Sequence, residues 1–112
     1  MIESYSFGRI VIDGQSYTSD VIIRPRGVKS HWVRRSSHTL VPEDLEGVME
    51  GMGQTIVVGT GKMGRMNVPD QTRHYLESKG FEVVIERTDQ ACETYNRLSQ
   101  ASPVIAALHL SC

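Results

Sequence analysis

The sequence is short of cysteine, of net charge and of long apolar runs, and each shortage removes a class of protein. Its two cysteines, Cys92 and Cys112, lack the close spacing of a metal or redox pair and are too few for a disulfide scaffold, so both are expected as free thiols. The formal charge is −1, from 12 basic and 13 acidic residues, which supplies no global field toward nucleic acid or anionic lipid. No stretch approaches the roughly 18 consecutive apolar residues of a membrane span, and Met1 to Gly8 carries Glu3 with no basic start before an apolar run. The expected setting is the cytoplasm, without membrane contact. At 112 residues the chain suits one domain, 1–112, because two separate cores would each be too small.

Chemical signatures are scarce as well. His31, His38, His74 and His109 form no His-Glu-x-x-His pattern, and His109-x-x-Cys112 offers two ligands at most, so no metal is expected. No Gly-x-Ser-x-Gly elbow occurs, which leaves serine hydrolysis without an anchor. No catalytic residue is assigned and no cofactor is expected.

What the chain does have is pattern. Tyr5 to Ile12 and Tyr17 to Ile23 are rich in β-branched and aromatic residues around Asp13-Gly14, the signal of a hairpin. Val28 to Arg34 is a weaker third strand, and Pro42 to Met52 places Leu45, Val48, Met49 and Met52 on one helical face. After Gly51-Met-Gly53 the order becomes strand (Thr55 to Val58), helix (Pro69 to Lys79), strand (Glu82 to Glu86), helix (Asp89 to Gln100, capped by Thr88) and strand (Val104 to Leu110). Such a β-α-β-α-β run builds a parallel sheet. The predicted fold is a three-layer α/β domain with a mixed central sheet, to which the hairpin adds antiparallel or peripheral strands.

Gly59-x-Gly61-x-x-Gly64 follows the first strand of that run with the spacing of a dinucleotide-binding turn, and Glu86 stands where a ribose-binding acid belongs. In that turn, however, the helix begins inside the glycines, whereas Pro69 restricts Val68 and favours a helix start at its own position. No NAD or NADP binding is therefore expected. The same letters miss a phosphate loop, because Arg65-Met66 replaces its lysine and hydroxyl residue. The remaining reading is a loop whose glycines turn backbone N–H groups inward as an anion nest, with Lys62 and Arg65 adding charge.

The segment Thr88-Asp-Gln-Ala-Cys-Glu-Thr-Tyr-Asn-Arg-Leu98, followed by Val104-Ile-Ala-Ala-Leu, resembles the C-terminal signature of the family containing adipogenesis-associated domain protein and mitochondrial complex I assembly factor three. Val57-Val-Gly-Thr-Gly61, Trp32, His38 and Asp44-Leu45 fit the same family, so the resemblance spans nearly the whole chain. It implies a compact α/β domain with a mixed central sheet, and a Gly-Thr-Gly loop that is a family feature outside the dinucleotide-binding enzymes. It implies no established reaction, and some eukaryotic relatives look like assembly or regulatory partners. No mitochondrial presequence like that of the assembly-factor branch is expected, so a respiratory role is not carried over.

Three local readings complete the analysis. Cys92 shares an apolar helix face with Ala91, Tyr95 and Leu98 and is expected as a packed thiol, with Cys112 exposed. Arg24, Arg26, Lys29, Arg34 and Arg35 crowd around His31 and Trp32, but strand alternation would divide them, leaving Trp32 as a core or interface anchor rather than a base-stacking platform. Asn96 is expected to tie its helix to a neighbouring loop. The functional expectation is a non-enzymatic binding or interaction module, assembly-factor-like, with a protein partner, a small anion or a second copy as its ligand. The alternative is a small-molecule enzyme or anion- and nucleotide-binding protein. In either case the candidate site is Gly59, Thr60, Gly61, Lys62, Gly64 and Arg65 with His38.

Overall fold

The computed structural model describes residues 1–36, 38–46 and 54–112. Strand β1 (Ile2–Ser6) turns at Phe7-Gly8 into β2 (Arg9–Ile12), which turns at Asp13-Gly14 into β3 (Gln15–Tyr17). The first turn breaks a run expected to be one strand, and its cause is Gly8 at φ 75°, a left-handed conformation open to glycine at little cost. Asp13 and Gly14 both have positive φ, 50° and 80°, as a two-residue hairpin turn requires. The second expected strand also divides: β4 (Val21–Arg24) leaves β3 and joins a different sheet.

That second sheet has five strands in the order β5-β4-β8-β6-β7, with β5 at Gly27–Lys29, β6 at Thr55–Thr60, β7 at Glu82–Glu86 and β8 at Val104–His109. β6 runs parallel to both β7 and β8, while β4 is antiparallel to β8 and to β5, so the sheet is mixed as expected. The N-terminal strands divide between the two roles foreseen for them. β4 and β5 extend the central sheet, and β1–β3 form a peripheral sheet of their own.

Period-two alternation sorts the central strands' side chains onto two apolar cores. On one face Val57, Ala106 and Leu108 pack with Ile10 and Ile12 of the small sheet and with Ala91 and Cys92 of helix α2 (Thr88–Ser99). On the other Ile56, Val58 and Ala107 pack with Trp32, Leu40, Leu45 and Leu76, the last from helix α1 (Asp70–Ser78). Each fully buried Ile or Leu contributes on the order of 1.5–3 kcal/mol, so these faces hold the layers together. Asn96 ties α2 to strand β1 rather than to a loop, accepting from Ile2 N and donating to Ile2 O, both at 2.8 Å.

Three boundaries differ from expectation. The third strand ends at Lys29, and His31 adopts φ 55°, so strand alternation does not govern residues 31–35. The helix expected over Pro42 to Met52 is a 3-10 turn at Pro42–Leu45; Val48, Met49 and Met52 lie outside the described residues. Thr88 is the first residue of α2 and does not cap it, because its hydroxyl is engaged elsewhere. Among the described residues, no helix is long and apolar enough to cross a membrane.

Candidate functional site

Ligands of open α/β sheets sit outside the carboxyl ends of the parallel strands, and here those ends carry Thr60, Glu86 and His109. Thr60 and His109 are direct neighbours in the β6–β8 register. Antiparallel β4 starts at the same edge, since Val21 pairs with Leu108, and this brings Asp20 beside His109. The chain then returns from β5, and Trp32 N donates to Asp20 O at 2.9 Å, which carries Arg34 to the same place.

The result is a buried polar cluster. Arg34 Nη1 donates to Asp20 Oδ2 at 2.8 Å, Leu110 N donates to Asp20 Oδ1 at 2.8 Å, and His109 Nδ1 lies 2.7 Å from Asp20 Oδ2. Side-chain exposure is 4% for Arg34, 16% for Asp20 and 6% for His109. Arg34 Nη2 also lies 3.0 Å from His109 Nδ1, yet one ring nitrogen cannot serve a donor and an acceptor at once. The shorter contact, to a carboxylate that only accepts, assigns the proton to Nδ1. In the neutral imidazole His109 Nε2 is then an acceptor, and it is buried with no hydrogen-bond partner among the described residues. Burial pushes the Asp20 carboxyl up, but hydrogen bonds from His109, Leu110 N and Arg34 outweigh it and hold the pKa below 3.8.

Around the cluster stand His38, whose ring is 6.5 Å from that of His109 and nearly perpendicular to it, and Trp32, with the Arg34 guanidinium 4.8 Å from its ring centre. Trp32 is buried and donates from Nε1 to Asp44 O. It is therefore the anchor expected of it, and its ring is covered by Arg34. An adjoining groove of about 560 Å³ is lined by Trp32, Arg34, Lys29, Arg35, Glu43 and Glu46, among others, so its rim carries both signs of charge.

The glycine loop is built differently. A Cβ on Gly59 would lie 2.8 Å from Thr88 Oγ1 and 2.9 Å from Leu108 Cδ2, and one on Gly61 would lie 2.2 Å from the Cys112 carbonyl carbon. Gly64 adopts φ 70° against the Arg87 side chain. Packing and turn geometry therefore account for the whole glycine spacing. Helix α1 begins at Asp70, well beyond Gly64, and Glu86 Oε1 accepts from Thr94 Oγ1 at 2.6 Å, so neither half of the dinucleotide signature is assembled.

The inward nest expected at this loop is corrected by its hydrogen bonds. Gly61 N donates to Thr88 Oγ1 at 2.8 Å, Lys62 N to Ser111 O at 2.7 Å, Gly64 N to Gly61 O at 3.2 Å, Arg65 N to Cys112 O at 3.0 Å and Met66 N to Thr60 O at 3.0 Å. Each of those groups is engaged within the chain. Thr60 Oγ1 donates to Glu86 O, and Thr88 Oγ1 donates to His109 O at 2.6 Å, which ties the loop to the end of β8. The Lys62 ammonium lies 5.7 Å from the Tyr5 ring centre, against the small sheet. The edge thus brings together Thr60, His38 and His109, while the Lys62 ammonium packs on Tyr5.

Cys92 is buried, and desolvation, with Asp89 and Glu93 nearby, pushes its thiol up to about 12. It is a packed thiol. Cys112 is half-buried rather than freely exposed. Sequence reasoning missed Asp20, grouped Arg34 with surface cations, and weighed His109 only as a metal ligand. A signal did exist: His109 ends an otherwise apolar strand and Asp20 immediately precedes Val21-Ile-Ile, and charged or titratable groups at the margins of buried strands need partners.

The same architecture recurs in solved structures. A conserved hypothetical protein of Pyrococcus horikoshii, PH1505, is similar at 27% identity with a TM-score of 0.82, covering 100% of this chain and 99% of that one. Xanthomonas campestris XCC1710 matches at 20% identity and TM-score 0.80, covering 98% and 83%. A Bordetella pertussis protein described as a Mth938-like domain matches at 22% identity and TM-score 0.59, covering 98% and 85%; these last two likenesses bear on the fold. The model of a protein family of unknown function, DUF498/DUF598, matches residues 2–109, and this chain belongs to that family.

Proposed function

We propose that this chain is a non-enzymatic binding module that receives a small polar ligand or a partner's polar side chain at the carboxyl edge of its parallel strands. The observation that carries this reading is the Asp20–Arg34–His109 cluster, locked by short hydrogen bonds, whose Arg34 also lines a groove of about 560 Å³. Such a cluster is a pre-organised support: its own atoms hold one another, and His109 Nε2 is left as an oriented acceptor. His38 and Thr60 complete this part of the candidate set, with Gly59, Gly61, Lys62, Gly64 and Arg65 as the flanking loop. Exposed Phe7, Val33 and Met63 are apolar surface that a protein partner would cover. An assembly or regulatory role in the cytoplasm, as some eukaryotic members of the family whose C-terminal signature Thr88–Leu98 resembles look to have, belongs to the same proposal, without a respiratory role.

Native mass spectrometry of the purified protein tests it. The expected result is a retained small molecule or stoichiometric partner that is lost in His109→Ala. Equal retention by both proteins would place binding elsewhere. A second reading, a small-molecule enzyme, is favoured by one feature: a carboxylate that orients an imidazole through Nδ1 leaves Nε2 as a general base. Turnover of a copurified compound, abolished in Asp20→Asn as well as in His109→Ala, would select it over the module.

A further inference from the structure

The edge of a sheet presents unpaired backbone groups, and folded chains guard it with short strands, lysines or bulges. Among the described strands, three of the four outer ones carry such a guard. β3 has only three residues, and β5 has three and ends in Lys29. β1 has a register shift between Ile2 and Ser4, and the Asn96 amide takes up Ile2 N and O. β7 is different. Its five residues, Glu82-Val-Val-Ile-Glu86, pair with β6 in unbroken register from Thr55 opposite Glu82 to Gly59 opposite Glu86. Glu82 N donates to Gln54 O at 3.0 Å, so alternation turns the backbone groups of Glu82, Val84 and Glu86 toward β6 and those of Val83 and Ile85 outward. Among the described residues, no hydrogen bond meets these outward groups.

The side chains decide what can pair there. Val83 and Ile85 pack on the side of α1, and Val84 on the side of α2. Glu82 and Glu86 share the face of Val84 by alternation, and Glu86 is held there by Thr94 of α2. Antiparallel pairing with a second copy along the whole strand would set Glu82 opposite Glu86 twice, and like charges directly opposite are destabilising. We propose that β7 is a docking edge for an extended segment of a partner protein, added to the sheet as a further strand, with basic residues opposite Glu82 and Glu86 flanking an apolar one opposite Val84. Main-chain hydrogen bonds to Val83 and Ile85 supply the affinity, and the two glutamates supply the selection. The inference stands independently of the groove and of His109.

A capped peptide of sequence lysine-threonine-valine-threonine-lysine is the probe, with a version carrying glutamate at both ends as the control. In an NMR titration of the full chain, the lysine peptide at millimolar concentration is expected to shift the Val83 and Ile85 amides most and to slow their hydrogen exchange. The glutamate peptide is expected to bind roughly fivefold more weakly. Glu82→Lys changes an exposed position, and it should weaken the lysine peptide by roughly two- to fivefold while strengthening the glutamate peptide. Val83 and Ile85 amides that stay in place, or an equal response to both peptides, would overturn the proposal. Movement of those two amides with protein concentration alone would also overturn it, by giving the edge to a second copy.

Discussion

The Gly59–Arg65 loop and the Asp20–Arg34–His109 cluster share one edge of the sheet and differ in how their polar atoms find partners. In the loop, Gly64 N reaches Gly61 O and Met66 N reaches Thr60 O, both within a few residues, while Thr88, Ser111 and Cys112 take the rest. In the cluster, Arg34 meets Asp20 across 14 residues, His109 across 75, and Asp20 meets His109 across 89. The loop is a backbone device whose glycines are required by close approach. The cluster is a side-chain device whose charges are required by one another. A recognisable motif therefore marks the region whose N–H groups are already engaged, while the region that leaves an oriented acceptor carries no motif.

The cluster side of that contrast gives the largest expected effect. Arg34→Ala leaves Asp20 as a buried carboxylate without its cation, and removing one partner of a buried pair costs about 3–5 kcal/mol. Urea unfolding should show it as a large drop in the midpoint. A loss under about 1 kcal/mol, the range of exposed pairs, would mean that solvent reaches Asp20 and that the cluster is not the rigid support described above. Next comes the joint between the two regions. Thr88→Val keeps the shape but strips the hydroxyl that Gly61 N and His109 O both use, and leaving those buried groups unpaired should cost about 2 kcal/mol. Because this residue touches both regions, its substitution should also move the His109 ring resonances, which a purely local loop role would leave unchanged.

The loop itself is probed by Gly61→Ala. Positive φ of 106° and contact with the Cys112 backbone predict a loss of about 1–2 kcal/mol from the left-handed conformation alone. Faster alkylation of Cys112 should accompany it as residues 111–112 are pushed away; unchanged labelling would show that residues 111–112 and Gly61 are not coupled. The smallest effect is pH-dependent and concerns the cluster alone. Folding lowers the Asp20 pKa, so the unfolded chain binds that proton more readily. Its contribution is complete above the ordinary value of 3.8 and is lost as pH falls through the lower folded value. Chemical denaturation between about pH 5 and pH 2 should show this loss in the wild type and a shallower one in Asp20→Asn. Identical profiles would remove Asp20 from the acid response.

Local pattern explains why part of the molecule was readable in advance. Glu82–Glu86 appears as foreseen, α1 and α2 lie within a residue or two of their expected bounds, and Pro69 placed the helix start beyond the glycines. Each rests on interactions between near neighbours in the chain. The readings that failed depended on distant partners. Thr88 looked like a cap because Ser and Thr are good caps, but β8 and the loop compete for its hydroxyl. Residues 28–34 looked like a strand because nothing nearby shows that the chain must turn at His31 to lay Trp32 under Asp44 and Arg34 on Asp20.

Hydrophobic period and backbone restriction, both written in the residues alone, dictated the alternation of strands and helices, the parallel run from Thr55 to His109, the burial of Cys92 and the failure of the dinucleotide signature. Three features were settled only by the folded arrangement: a small sheet forms apart from the central one, residues 111–112 fill the loop, and Asp20, Arg34 and His109 meet. The physical reason is range. Periodicity and φ restriction act within a few residues, whereas the pairing of a buried charge is fixed only when the register of β4 against β8 brings its partner to the same edge.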